Sequence, residues 1–139
     1  MLLENGDRII RALRQAGIGK VFSTADLAGI AEKEQVAPAV HVVLLDYAPV
    51  GTVGPEVEWR EVWGVWVVVR NAARKDRSAA QMGEGAVLLS QVQEALLAVE
   101  GPYLAQDGAR PLKLAENPPP AFSEMFAYFP LAFEARAET

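Results

Sequence analysis

The chain has 139 residues and no cysteine, which fits one domain with one core and excludes a disulfide framework, a thiol nucleophile and a thiolate metal site. Its formal net charge of −5 argues against a protein whose main task is to hold nucleic-acid phosphates or to read a DNA sequence. Glu4 and Asp7 interrupt any basic-then-apolar signal peptide, and the longest strongly apolar stretch, Val62 to Val69, is too short to span a bilayer as a helix, so a soluble protein with no membrane partner is expected.

Taken in chain order, the first element reads as a helix from Leu2 to Ala16. Leu2, Ile9, Ile10, Leu13 and Ala16 recur at helical spacing, Asp7, Arg8, Arg11 and Arg14 fill the other face, and Gly17 and Gly19 end it. Lys20 to Phe22 suits a short strand, and Ser23 to Gln35 carries no clear period beyond a turn or two of helix at Asp26 to Ala31. Pro38 to Tyr47 is a strand with two apolar faces: Val40, Val42 and Leu44 on one, His41, Val43 and Leu45 on the other. That pattern places it inside its sheet. After the Gly- and Pro-rich stretch Ala48 to Pro55, a second strand runs from Val57 to Arg70. Trp63, Val65, Val67 and Val69 line one side, Val62, Trp66 and Val68 the other, and Gly64 marks a bulge or a close approach. The pair forms a long antiparallel hairpin.

Asn71 to Gln81 reads as an exposed connection, and Gly83 to Val99 as an amphipathic helix. Leu88, Leu89, Val92, Ala95, Leu96 and Val99 make its buried stripe, and Gly101-Pro102 stops it. Pro111 to Leu114 is a candidate strand, and Pro118-Pro119-Pro120 enforces an extended link. Met125 to Phe133 is an aromatic strand, and Glu134 to Thr139 reads as a charged tail that frays. The fold class is therefore α/β (α+β): a mixed, mainly antiparallel sheet with a long β-hairpin and two main helices packed on one face, in a single domain over residues 1–139.

Motifs for chemistry fail in turn. Gly83-Glu84-Gly85 lacks the third glycine of a dinucleotide fingerprint and follows a polar connection, so it reads as a glycine-rich helix start. Gly19-Lys20 has Arg14 where a phosphate loop needs glycine, and no serine sits in a Gly-x-Ser-x-Gly turn. His41 is the one histidine; it could pair with a nucleophile, but a strand position among valines suits a hydrogen-bonded structural role. Glu56, Glu58 and Glu61 could gather a hard cation, against the simpler reading of a solvated strand end. No catalytic residue, metal site or cofactor is expected.

Two segments point outward. Val50, Gly51, Thr52, Val53, Gly54 and Pro55 form an uncharged, partly apolar hairpin tip, either a plain flexible loop or a surface for self-association and docking. Arg70, Arg74, Lys75 and Arg77 concentrate 4 of the 13 basic residues in an acidic protein, either as a solvated connection or as a lumen or rim facing DNA or an acidic partner subunit. Trp59, Trp63 and Trp66 suit core and sheet anchors better than a ligand cage.

The order of these pieces is familiar. An N-terminal amphipathic helix leads to a strand and a Gly/Pro hairpin, then to Trp59-Arg60-Glu61-Val62-Trp63-Gly64-Val65-Trp66-Val67-Val68-Val69-Arg70-Asn71. A polar connection, the helix Leu88-Leu89-Ser90-Gln91-Val92-Gln93-Glu94-Ala95-Leu96 and the ending Tyr128-Phe129-Pro130-Leu131-Ala132-Phe133 follow. The chain resembles, over nearly its whole length, the small tail terminator proteins of long-tailed bacteriophages and Mu-like prophages. The resemblance implies a structural virion protein without catalytic residues, working as a ring, usually a hexamer. Such a ring caps the tail tube at the head-proximal end, stops its polymerisation and offers a surface to neck proteins. Its partners would be further copies of itself, the tail-tube protein and the head–tail neck proteins; it would wait in the host cytoplasm before assembly. The Val50 to Pro55 hairpin matches a projecting loop of that family and the Arg70 to Asn71 strand end matches its pattern. A head–tail connector or tail-completion protein, and a small ligand-binding domain or enzyme with a pocket between helix and sheet, are the alternatives.

Overall fold

A computed structural model describes residues 4–25, 27, 29–30, 34–70, 78–97 and 112–138. Within them the order is α1 (Glu4–Gln15), β1 (Val21–Ser23), β2 (Ala39–Val53), β3 (Glu56–Arg70), α2 (Ser78–Leu97), β4 (Lys113–Leu114), β5 (Ala121–Phe122) and β6 (Phe126–Glu138). The six strands form one sheet in the order β1-β2-β3-β6-β4, with β5 also on β6. Only the β1–β2 pair is parallel. This is the expected α+β fold, with β2 interior to the sheet at its β1 end.

Alternation along the strands sorts the sheet into two faces. Val40, Val42, Trp63, Val65, Val67, Val69, Ala127 and Phe133 are buried with Ile9, Ile10 and Leu13 of α1 and with Val92, Ala95 and Leu96 of α2. Both helices thus pack on one face, because their apolar stripes meet these valines there. Burying a valine or leucine of this kind contributes about 1.5–3 kcal/mol relative to exposure. At the C-terminus of α1, Gly17 takes φ 91° and Ile18 N–H donates to the Leu13 carbonyl at 3.1 Å, a Schellman-type closure that a side chain at Gly17 would strain. Gly6 is needed for a different reason. A Cβ there would sit 2.5 Å from the Trp63 ring, so α1 lies on the indole only because position 6 is bare.

Four expectations change. The strand from Pro38 does not stop at Tyr47 but runs to Val53, across two register shifts, at Leu44/Asp46 and Pro49/Gly51. Of the two readings for Gly64 the bulge falls and the close approach remains: it pairs in register with Val43, and Leu45 Cδ1 would lie 3.0 Å from a Cβ there. The helix assigned to Gly83 to Val99 begins at Ser78, so Gly83 and Gly85 are mid-helix and not a helix start. Gly85 instead lets α2 approach Phe129, whose ring would lie 3.1 Å from an added Cβ. The supposed fraying tail is sheet: Glu134, Arg136 and Glu138 pair with Val62, Arg60 and Glu58. Ala135 is buried in the core and the backbone ladder with β3 continues to Glu138, which is why a charged segment holds a strand; Glu134 also ion-pairs with Arg60 at 3.6 Å. The two-residue β5 had no signal beyond Phe122.

Candidate functional site

The hairpin of β2 and β3 outgrows the sheet. β1 covers β2 only from Val40 to Val42, and the β3–β6 ladder ends at Glu58/Glu138. Beyond that pair, Gly51 to Val53 and Glu56 to Val57 stand as a two-stranded arm turned at Gly54, with φ 60°. Val50 is 46% exposed and Tyr47 54% exposed, and Gly51, Thr52, Gly54 and Pro55 are exposed as well. Tyr47 and Trp59 stack obliquely at the arm's base, 5.8 Å between ring centres. Within the sequence-expected docking segment Val50 to Pro55, Gly51, Thr52 and Val53 are the end of a ladder fixed by pairing with β3, Val50 sits at the register shift before them, and Gly54 and Pro55 make the turn.

Below the arm the charged side chains hold the strands together. Arg60 reaches Asp46 at 3.8 Å and Glu134 at 3.6 Å, and Arg136 reaches the same Glu134 oxygen at 3.8 Å. These partly exposed pairs each contribute at most about 1 kcal/mol. On the helix-bearing face Glu61 is fully buried. Its carboxyl oxygen accepts from Trp63 Nε1 at 2.9 Å and from Asn5 Nδ2 at 3.0 Å, and Asn5 Nδ2 also donates to the Arg136 carbonyl at 3.0 Å. Glu61 thus anchors α1, while alternation sends Glu56 and Glu58 to the opposite face of β3. The three glutamates do not converge, and no group of three or more metal-ligating side chains occurs among the described residues. Sequence reasoning missed Asn5; a polar residue on the apolar side of the first helix was the available signal.

At the other end of the sheet the β1–β2 connection is tied to His41. Thr24 Oγ1 lies 2.7 Å from Nδ1, and Gln35 Oε1 lies 3.0 Å from Nε2. Val36 N–H also donates to Gln35 Oε1, at 3.2 Å, which fixes that amide oxygen as an acceptor. His41 then carries its proton on Nε2 and accepts the Thr24 hydroxyl proton on Nδ1. Burial lowers its pKa from the usual 6.5. A hydroxyl on an imidazole is the reach a nucleophile needs. Here the orienting group is a neutral amide, which cannot stabilise an imidazolium as a carboxylate does, so the cluster is suited to clamping the connection. Phe22, Ile30, Glu34 and Val36 complete an open cleft of about 410 Å³ beside it.

Arg70, exposed at the far end of β3, lies 6.0 Å over the Phe126 ring. The other basic residues proposed from sequence, Arg74, Lys75 and Arg77, lie outside the described residues. The structure thus separates the arm and Arg70 to opposite ends of the same long strand. No helix is long and apolar enough to cross a membrane among the described residues.

An architecture of projecting arm, helix-covered sheet and structural polar clusters fits an assembly protein, and the family comparison decides which. The family model described as Phage tail terminator protein matches residues 5–139. The chain belongs to the phage tail terminator family. As a tail terminator it is a structural protein of the phage tail, located in the virion tail and interacting with other tail and neck proteins. The family is not known for enzymes. No curated protein matches the chain.

Proposed function

We propose that this tail terminator assembles as a ring, a hexamer as in the family it belongs to, on the head-proximal end of the tail tube. There it ends tube polymerisation and presents the surface to which the head-side neck proteins join. Before assembly it resides in the host cytoplasm, and each copy contributes one domain. The observation that supports this best is the arm. A two-stranded projection with Tyr47 and Val50 exposed costs solubility unless another surface covers it. Pairing fixes its shape before contact, so little ordering entropy is lost on docking. A head–tail connector shares the size and the lack of catalytic motifs, but the family match favours the terminator.

The test is assembly of the Val50→Asp/Val53→Asp double variant, followed by light scattering and negative-stain microscopy, alone and with tail tubes. Two carboxylates on the arm should reduce ring formation and tube capping at least tenfold, while circular dichroism and melting stay close to the parent. Unchanged assembly in that variant would remove the arm from the account.

A further inference from the structure

Exposed apolar side chains gather in distinct places. One group is the arm and its base, with Val50 and Tyr47. Another lies where β5 turns into β6: Phe122 is 60% exposed and Met125 46% exposed. Phe126 pairs with Arg70 in register, so this turn and the end of β3 form one corner of the sheet. The corner is diagonal to the arm, at the opposite end of β3 and across the sheet at the β5 edge.

The two patches differ in chemistry as well as place. The arm carries exposed Glu56 beside Glu58, whereas the corner carries Arg70 over Phe126, with Glu124 in the adjoining turn. Arm-to-arm pairing about a two-fold axis would bring two acidic tips together, with no basic residue between Val50 and Glu58 to offset them. Arm-to-corner contact instead sets Glu56 towards Arg70 and Val50 towards Phe122 and Met125. Extension of the sheet along β2 is the other way such an arm could bind. Pro49 and the two register shifts break the regular ladder that strand addition needs. Contact through side chains is what remains.

We propose that the arm of one copy docks on the Phe122–Met125–Arg70 corner of the next, a head-to-tail contact that closes into a ring. This rests on the ring reading above and adds which surfaces meet. The chain has no cysteine, so introduced thiols report contacts without background. Copies carrying Val50→Cys are mixed with copies carrying Met125→Cys, assembled alone and on tail tubes, and oxidised. Disulfide-linked pairs containing one of each variant are expected, because only close Cα atoms can be bridged. A parallel charge swap should agree: Glu56→Arg and Arg70→Glu each weaken assembly at least tenfold, and together they restore it to within about threefold. Val50→Cys copies linking to themselves would overturn the proposal in favour of arm-to-arm contact. Rings that form without mixed disulfides and ignore the charge swap would also overturn it, leaving the ring itself standing. Absence of any ring, alone or on tubes, would remove the ring reading and this contact with it.

Discussion

Glu61 shows how little of a residue's role its type reveals. It sits between Arg60 and Val62 on a strand, in a run with Glu56 and Glu58, and its spacing alone suggests a solvated edge or a cation site. The structure buries it under α1 with Trp63 Nε1 and Asn5 Nδ2 as donors. Replacing it by alanine leaves a buried indole N–H without its acceptor and a void beneath the helix. Glu61→Ala should cost about 3 kcal/mol in urea unfolding, with no effect of divalent cations in either protein. His41 provides a second residue-scale test. Its pKa is lowered in the fold by burial, so as pH falls below about 6.5 the unfolded chain takes up the proton first. The associated stability is present above that pH and is lost as pH drops towards the folded pKa. The urea midpoint should therefore fall between pH 7.5 and pH 5.5, and His41→Gln should flatten that fall; an equal fall in both proteins would show that other groups carry it.

At the scale of elements, the two main helices and the hairpin were legible because their apolar periods are long. Ile9, Ile10 and Leu13 mark α1, and the run from Val62 to Val69 marks β3. Arm length was not legible, since Ala48 to Pro55 has loop composition, and its Ala48 to Val53 part gains strand geometry only from β3 beside it. The C-terminal half of β6 was hidden for a related reason: Glu134 to Glu138 is charged, and only cross-strand pairing with Glu58 to Val62 makes it sheet. β5 is too short to carry a period. The start of α2 was misplaced because Gly83 and Gly85 resemble a helix boundary, whereas Gly85 is where α2 meets Phe129. The same logic governs Gly6, where α1 rests on Trp63. Gly6→Ala would ordinarily favour a helix by roughly 1 kcal/mol. Here the new methyl meets a buried indole, so the variant should instead lose about 1–2 kcal/mol, seen as a melting temperature lower by about 3–8 °C.

At the scale of the molecule, three arrangements combine. The helices cover one sheet face and complete the core, the His41 clamp secures the β1–β2 connection, and the arm and the Arg70 corner lie at opposite ends of β3. Such a body offers unlike surfaces at its two ends and holds its buried Glu61 and His41 in structural contacts. The proposed docking residues Val50 to Pro55 were visible in sequence as an uncharged tip. Their diagonal relation to Phe122 and Met125 was not, because it depends on strand order and not on spacing. The most direct measurement is electron microscopy of tail tubes polymerised from purified tube subunits with this protein carrying a gold label. The account predicts label at one end of each tube as a ring, and tubes that stop lengthening once labelled. Label scattered along the tube walls, or tubes that continue to grow from labelled ends, would contradict it.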